Sequence, residues 1–251
     1  MMLPHSPLKG RTILVTGAAR GLGRAIAGAC AAQGARMVLA DIDSAGVQAA
    51  AAELGARAVT VDLGDPASIT ALAADIAAHE GELHGLCNNG AVATNVGGMA
   101  FEDIELELWD RVHRVNVRGT WLMTRACSAM LRASGSGRVV NVASDTALWG
   151  APRLLAYTAS KGAVMAMTRS LAREMGADRV GVTCIAPGIL TTESTEYVPA
   201  ARHALYGDGR AVPGPQSAEE VTGTVAFLLS DAALTLTGQT LPVNNGYVFV
   251  T

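Results

Sequence analysis

The sequence predicts an α/β protein with a doubly wound parallel sheet of about seven strands and helices on both faces. Short apolar runs rich in β-branched residues alternate along the chain with longer segments in which apolar residues recur at helical spacing. Strands that alternate with helices form a parallel sheet covered on both faces. Because the crossovers are right-handed, we expect ligands at the carboxyl ends of the strands.

The first part of the chain contains four predicted strands and three predicted helices. A glycine-rich turn follows the first strand and leads into a helix that Gly34 ends. Asp65 and Pro66 predict another helix start, since Asp caps a helix and Pro fits its first position. The strands are predicted over 12–16, 37–41, 58–62 and 83–88, with a further helix over 44–54.

The rest of the chain continues the alternation. Long helices are predicted over 105–132 and 156–176, and strands over 138–143, 180–185 and 239–243. The segment 189–215 has no clear period and is predicted to be a mobile loop. Ser217 to Glu220 form a capping-box pattern that predicts a helix to Leu229. No repeat, low-complexity tract or linker divides the chain, so a single domain over residues 1–251 is expected.

Composition limits the classes of function. Charged residues make up 16% of the chain and the net charge is −3, which gives no basic surface for nucleic acid. No apolar run approaches the length needed to span a membrane, and residues 1–9 lack a signal pattern. We therefore expect a cytoplasmic protein that binds neither nucleic acid nor membrane.

Cysteine and histidine usage predicts neither disulfides nor a metal site. The four cysteines, Cys30, Cys87, Cys127 and Cys184, are far apart and form no CxxC pair. Two of them lie in apolar strand-like runs, which favours buried reduced thiols. The five histidines, His5, His79, His84, His113 and His203, show no ligand spacing, so no metal is expected.

The turn over residues 17–23 is a candidate site for a pyrophosphate. Its glycines, Gly17, Gly21 and Gly23, let backbone N–H groups approach a phosphate, and the helix that follows contributes its positive amino end. Arg20 and Leu22 lie between them. A tight strand-to-helix turn also requires glycine for its own geometry, but the position after the first strand favours dinucleotide binding.

Asp41 ends the second predicted strand and indicates which dinucleotide is bound. A carboxylate there can accept hydrogen bonds from the adenosine ribose hydroxyls and would repel a 2′-phosphate, which favours NAD over NADP. Arg20 favours the opposite choice, because a guanidinium beside the turn could pair with that phosphate. The alternative for Asp41 is a purely structural cap at the strand end.

Tyr157 and Lys161 stand four residues apart in a predicted helix, so the phenol and the ammonium can share one site. A free tyrosine has a pKa of roughly 10, and a nearby ammonium favours the phenolate. Tyr157 could then act as a general base near neutral pH. The spacing alone also fits two unrelated surface residues.

The motifs together resemble the short-chain dehydrogenase/reductase family. The resemblance spans residues 9–246 and is carried by Thr16, Gly17, Gly21, Gly23, Asp62, Asn88, Asn89, Asn116, Ser144, Tyr157, Lys161, Pro187 and Gly188. It implies a Rossmann-like fold, an oxidoreductase using NAD, and self-association, most often as a homotetramer.

The resemblance also implies residue roles. Ser144 would hydrogen-bond the substrate oxygen and Tyr157 would transfer the proton. Lys161 would bind the nicotinamide ribose and lower the tyrosine pKa, while Asn116, at a distortion of its helix, would help hold a water. The cofactor contacts are assigned to Gly17, Arg20, Gly21, Leu22, Gly23, Asp41, Ile42, Asp62, Leu63, Asn89, Gly90, Tyr157, Lys161, Pro187, Gly188, Ile189 and Thr191.

Two departures from the family pattern concern the local cofactor geometry. Asn89 is followed by Gly90 and Ala91, where the family usually has alanine and then glycine. If position 91 needs a positive φ, alanine costs about 1 kcal/mol there. The tail has Asn244-Asn245-Gly246 where members often have Asp-Gly-Gly.

We expect the substrate to be a secondary alcohol or its ketone, bound near Ser144, Tyr157 and Trp149. An NADPH-dependent ketoreductase and a non-catalytic dinucleotide-binding sensor are the alternatives. Family members that reduce acyl-carrier-protein substrates carry arginines where this chain has Gly135 and Asp178, which argues against that role.

Overall fold

The computed structural model describes residues 7–250 and confirms the predicted α/β architecture. Seven strands form one sheet in the order β3-β2-β1-β4-β5-β6-β7, and all neighbouring pairs are parallel. His5, one of the scattered histidines, lies outside the described residues. The strands are β1 (Thr12–Thr16), β2 (Arg36–Asp41), β3 (Arg57–Thr60), β4 (Gly85–Asn88), β5 (Arg138–Val142), β6 (Gly181–Pro187) and β7 (Thr240–Val243).

Helices connect the strands and cover both faces of the sheet. They are α1 (Gly21–Ala32), α2 (Ser44–Leu54), α3 (Pro66–Glu80), α4 (Leu106–His113), α5 (Thr120–Ala133), α6 (Thr146–Trp149), α7 (Leu155–Met175), α8 (Ala200–Gly209) and α9 (Glu219–Leu228). A π-helical segment, Arg114–Gly119, lies between α4 and α5.

Strand β1 shows how one strand supplies two cores. Ile13 and Val15 pack into the core formed with α1, α2 and α9, whereas Leu14 packs into the core formed with α3, α5 and α7. All five residues of the strand are buried. Because both faces are covered, the strand is a continuous apolar run rather than an alternating one.

The strand order also determines where a ligand can bind. The chain crosses from β1 to β2 on one side and later returns to β4 on the other, so β1 and β4 are neighbours. Crossovers that diverge in this way open a crevice at the carboxyl ends of the two strands. The glycine-rich turn after β1 and the Asn88–Gly90 segment after β4 meet there.

Two predicted segments differ from the structure. The helix expected over 105–132 is interrupted by the π-helical segment, which surrounds Asn116. The segment 189–215 is not irregular throughout, since it contains a 3₁₀ turn, Glu193–Thr195, and helix α8. Helix α8 escaped prediction because it contains two glycines and buries only one side chain, so it has no apolar stripe.

The predicted helix starts are confirmed in different degrees. The Asp65 carboxylate accepts hydrogen bonds from the Ala67 and Ser68 amides, at 2.9 and 3.3 Å, and Pro66 is the first residue of α3. At α9 the Glu220 carboxylate accepts a hydrogen bond from the Ser217 amide at 2.6 Å. That bond is one half of the predicted capping box.

The four cysteines are buried and unpaired, as predicted. Within residues 7–250, no helix has the length and apolar character needed to cross a membrane. The same residues contain no group of three or more His, Cys, Asp or Glu side chains arranged to hold a metal.

Leu86, in the central strand β4, is fully buried between β1 and β5. We expect Leu86→Ala to lower the free energy of unfolding by about 3 kcal/mol, because it loses apolar contacts and leaves a cavity. Denaturant unfolding at one fixed protein concentration measures the change. The matched control is Leu205→Ala, since Leu205 is 50% exposed on α8 and should cost less than about 1 kcal/mol. Equal losses for the two variants would contradict this description of the core.

Candidate active site

Hydrogen bonds between the ends of β1 and β4 hold the crevice together. The Thr16 hydroxyl accepts hydrogen bonds from the Asn89 and Gly90 amides, at 3.1 and 3.0 Å. The Asn89 side-chain amide donates to the carbonyls of Thr16 and Gly17, both at 3.1 Å. The two loops are therefore joined at the point where they leave the sheet.

Glycines allow these loops to approach each other. Gly17 has a φ of +67°, and a Cβ there would lie 2.6 Å from the Gly90 Cα. A Cβ on Gly23 would lie 2.0 Å from the Gly17 carbonyl oxygen. Residue 91 is not among the described residues with positive φ, so Ala91 does not carry the strain considered from the sequence. The residue of this loop that lies closest to Gly17 is residue 90, where this chain has glycine.

A cleft of about 370 Å³ opens above these loops and contains most of the predicted site. Its volume is within the range of small-molecule sites. Fifteen of the predicted residues line it: Gly17, Arg20, Leu22, Gly23, Asp41, Ile42, Asp62, Leu63, Asn89, Gly90, Ser144, Tyr157, Lys161, Pro187 and Gly188.

At one end of the cleft, Asp41 and Asp62 bind backbone amides as well as facing the cavity. The Asp41 carboxylate accepts hydrogen bonds from the Ala19 and Asp43 amides, both at 3.0 Å. The Asp62 carboxylate accepts one from the Gly64 amide at 2.7 Å. Asp41 thus caps the end of β2, which was the structural alternative for this residue. Its carboxylate is partly exposed and also borders the cleft.

At the other end, Ser144 and Tyr157 are brought together from different elements. Ser144 follows β5, and its hydroxyl accepts a hydrogen bond from the Thr146 hydroxyl at 3.0 Å. Tyr157 lies in the first turn of α7, with its phenol beside the Ser144 hydroxyl, which favours the phenolate and so lowers the pKa of Tyr157. The two hydroxyls therefore face each other inside the cleft.

Lys161 lies one turn further along α7 and is 3% exposed. Its ammonium donates a hydrogen bond to the Val142 carbonyl at 2.8 Å, and its Nζ lies 5.5 Å from the centroid of the Tyr157 ring. The phenol and the ammonium therefore share one site, as their spacing in the sequence predicts. Burial lowers the pKa of Lys161 to about 8, because it disfavours the charged form.

The pKa of Tyr157 differs from the sequence-based expectation. Burial raises it above that of free tyrosine, because the phenolate loses hydration, while the hydrogen bond from Ser144 lowers it. Electrostatic repulsion from Tyr197 and Asp145 also raises the pKa of Tyr157. From the protein groups alone, the attraction of Lys161 does not make the phenol acidic, which corrects the expectation of a lowered pKa.

Asn116 lies in the π-helical segment, behind the cleft wall. Its side chain exchanges two hydrogen bonds with the backbone of Val92, at 2.7 and 3.1 Å, and donates a third to the Ser160 hydroxyl at 3.1 Å. Its own carbonyl accepts a hydrogen bond from the Thr120 hydroxyl at 2.8 Å. The predicted helix distortion is present. The Asn116 side chain within it connects α7 to the loop after β4.

Four predicted contacts are not part of the cleft wall, and one of them is Gly21, the first residue of α1. Ile189 and Thr191 border a neighbouring cavity of about 280 Å³ beside α8. Trp149 packs edge-on against Tyr206 and Tyr247, and its indole N–H donates to the Tyr206 hydroxyl at 3.2 Å. Trp149 thus belongs to an aromatic cluster rather than to the cleft surface.

The sequence motifs missed several wall residues that flank them in the chain. Tyr197 connects two of these segments, because its hydroxyl donates to the Ala93 carbonyl at 2.7 Å. Their only signal in the sequence is that each lies close along the chain to a predicted residue, as Val61 does to Asp62. The additional lining residues are Val61, Ala91, Val92, Ala93, Thr94, Val115, Val142, Ala143, Leu190, Thr192, Ser194 and Thr195.

Comparison with known proteins agrees with this geometry. A family model described as enoyl-(acyl carrier protein) reductase matches residues 17–248. The chain is 35% identical to the D-threitol dehydrogenase of Mycolicibacterium smegmatis, over 96% of this chain and 94% of that protein.

Two solved structures are similar over nearly the whole chain. The first is a putative NAD(P)-dependent gluconate 5-dehydrogenase from Beutenbergia cavernae with bound NADP, which has a TM-score of 0.90 and 35% identity and covers 96% of this chain and 97% of its own. The second is a 3-ketoacyl-(acyl-carrier-protein) reductase from Brucella melitensis complexed with NADH, which has a TM-score of 0.90 and 30% identity and covers 96% and 100%. With the glycine-lined crevice and the Ser144, Tyr157 and Lys161 side chains in one cleft, these similarities establish that the chain belongs to the short-chain dehydrogenase/reductase family of oxidoreductases.

Proposed function

We propose that the protein is an NAD-dependent dehydrogenase that oxidises a secondary alcohol, or reduces the corresponding ketone, with Tyr157 as general base or acid. The observation that supports this most directly is that the hydroxyls of Ser144 and Tyr157 lie beside each other in one cleft, with the buried Lys161 next to them. Oxidation of an alcohol needs a proton acceptor and a fixed position for the oxygen. These three side chains supply both.

The crevice is suited to a dinucleotide. A Cβ on Gly17, Gly23 or Gly90 would lie within 3 Å of other protein atoms, and all three residues line the cleft, so that only backbone borders it at these positions. The turn also precedes α1, whose amino end favours a phosphate. A bound NAD would supply the hydride acceptor and a positive charge beside Tyr157.

Each catalytic side chain then has a separate task. Ser144 donates a hydrogen bond to the alcohol oxygen and orients it toward Tyr157. Tyr157 removes the hydroxyl proton during oxidation and returns it during reduction. Lys161, held by the Val142 carbonyl, contributes positive charge that opposes the effect of burial on the phenol. Asn116 holds α7 in register through Ser160 and the backbone of Val92.

Asp41 supports the preference for NAD. Its carboxylate borders the end of the cleft that would receive the adenosine ribose, and a 2′-phosphate there would meet its negative charge. The same end includes Ile42, Asp62 and Leu63 as contacts for the adenosine. Pro187 and Gly188 line the cleft and would contact the nicotinamide, and Ile189 and Thr191 would extend this contact from the neighbouring cavity.

An NADPH-dependent ketoreductase is the second candidate, and Arg20 is the observation in its favour. The Arg20 side chain is exposed and borders the same cleft, where it could pair with a 2′-phosphate. A non-catalytic sensor is less well supported, because such a protein would have no need of Ser144, Tyr157 and Lys161 together.

Self-association as a homotetramer is part of the proposal. Leu106 on α4 and Trp121 on α5 are 74% and 44% exposed, as apolar side chains at a subunit contact would be in an isolated chain. Sedimentation measures the assembly directly.

Tyr157→Phe should remove turnover while leaving NAD binding nearly unchanged. Loss of a general acid–base group typically lowers the rate about 10² to 10⁴-fold. The absorbance of NADH follows turnover across a panel of alcohols and ketones, and titration calorimetry follows NAD binding. Unchanged turnover in the variant would eliminate the proposed mechanism, and silence of the wild-type protein across the whole panel would eliminate the proposed reaction.

Asp41→Ala should reduce the preference for NAD over NADP by about tenfold, because the ribose acceptor and the charge repulsion are both lost. The ratio of the two dissociation constants measures the effect. Asp41→Asn is the matched variant, since it removes the charge but keeps an oxygen acceptor for the Ala19 or Asp43 amide. A wild-type protein that binds NADP more tightly than NAD would favour the ketoreductase.

A further inference from the structure

Asp145 is a buried carboxylate that the motifs did not assign, and it directly follows Ser144. The residue is completely buried. Its amide donates a hydrogen bond to the Pro187 carbonyl at 2.9 Å, which joins the ends of β5 and β6. A Cβ on Gly188 would lie 3.0 Å from the Asp145 Oδ2. The carboxylate therefore lies immediately behind the cleft wall.

The two carboxylate oxygens bind two further segments. Oδ1 accepts a hydrogen bond from the Tyr206 hydroxyl of α8 at 2.9 Å. Oδ2 accepts one from the Asn244 side-chain amide, just after β7, at 3.1 Å. One side chain thus joins the Ser144 turn to α8 and to the C-terminal tail.

Tyr206 is the main attachment of α8 to the rest of the fold. It is the one buried residue of this helix, all of which the structure describes. Its ring stacks on Tyr247 with centroids 4.2 Å apart, and its hydroxyl accepts the indole N–H of Trp149. The Arg210 guanidinium lies 5.6 Å from the ring centroid. Loss of the Asp145–Tyr206 hydrogen bond would loosen this attachment.

We propose that Asp145 is a positioning residue: its carboxylate fastens α8 and the C-terminal tail to the Ser144 turn, and so fixes the part of the cleft wall formed by Ser144, Pro187 and Gly188, against which the alcohol is held. This role rests on the function proposed above. It concerns the substrate side of the cleft and leaves the dinucleotide end, around Gly17 and Asp41, unaffected.

The electrostatics of the site support this role. Burial raises the pKa of Asp145 to about 6. The hydrogen bonds from Tyr206 and Asn244, the positive charge of Arg210 and the indole N–H of Trp149 lower this pKa, but by less than burial raises it. Keeping a carboxylate at such a position costs stability, and shifted carboxylates of this kind concentrate at functional sites. As the pH falls through about 6, protonation removes one acceptor and weakens the attachment. The remaining titratable neighbour is Tyr157, whose pKa the Asp145 charge raises.

The first test is Tyr206→Phe, which removes the hydrogen bond to Asp145, together with the one accepted from Trp149, and keeps the ring. We expect the KM of the alcohol to rise about tenfold, with kcat and the dissociation constant of NAD changed less than about twofold. Hydrogen exchange of residues 200–209 should become faster. Tyr247→Phe is the matched control, because that hydroxyl has no hydrogen-bond partner among the described residues. It should leave KM and exchange unchanged.

The second test is Asp145→Asn, which removes the charge and retains the shape. In the wild-type protein the KM of the alcohol should rise as the pH falls below about 6, and in the variant this pH dependence should be absent. A purely structural role would lower the melting temperature or the active fraction and leave the pH dependence of KM in place.

The outcomes separate this proposal from the proposed function. If Tyr206→Phe matches Tyr247→Phe in KM and in exchange, the positioning role is overturned, and the same holds if Asp145→Asn keeps the wild-type pH dependence. Should Asp145→Asn fail to fold, Tyr206→Phe decides alone. Absence of turnover with any alcohol or ketone, together with faster exchange of α8 in Tyr206→Phe, would overturn the alcohol chemistry and support the attachment.

Discussion

The hydrogen bond from the Lys161 ammonium to the Val142 carbonyl is the interaction on which the candidate site depends. It joins helix α7 to the last residue of β5, at 2.8 Å and away from water. Ser144 follows that strand and Tyr157 precedes Lys161 by one helical turn. A buried ammonium needs such an acceptor, because an unpaired charge in this position would be costly. The need to pair this charge therefore also sets the distance between the two hydroxyls.

The cleft is built from two halves with different physical designs. At the dinucleotide end, the walls are backbone: Gly17, Gly23 and Gly90 approach each other so closely that no side chain fits between them. At the catalytic end, the wall includes buried polar side chains, of which Ser144 after β5 and Lys161 on α7 are examples, and Asp145 lies immediately behind it. The first half suits a ligand recognised by N–H groups, and the second suits proton transfer in a poorly hydrated space.

Much of the site could be predicted because its residues occur in local patterns. The turn after β1 needs glycine for its geometry, and Tyr157 and Lys161 share a helix face by spacing alone. Other features depend on contacts between distant segments. Trp149 was assigned to the substrate by proximity in sequence, yet it packs against Tyr206 and Tyr247. Helix α8 has no amphipathic pattern, since Tyr206 is its one buried residue.

Local patterns in the sequence suffice to predict the order of strands and helices, the turn that suits a phosphate, and a tyrosine and a lysine on one helix face. Those features arise from interactions within about five residues, which the chain carries in its local pattern. Protonation in the site depends on the folded structure, because burial raises the pKa of Tyr157 and lowers that of Lys161. The contacts of Asp145 likewise depend on the fold, since its partners on α8 and in the tail lie 61 and 99 residues away along the chain.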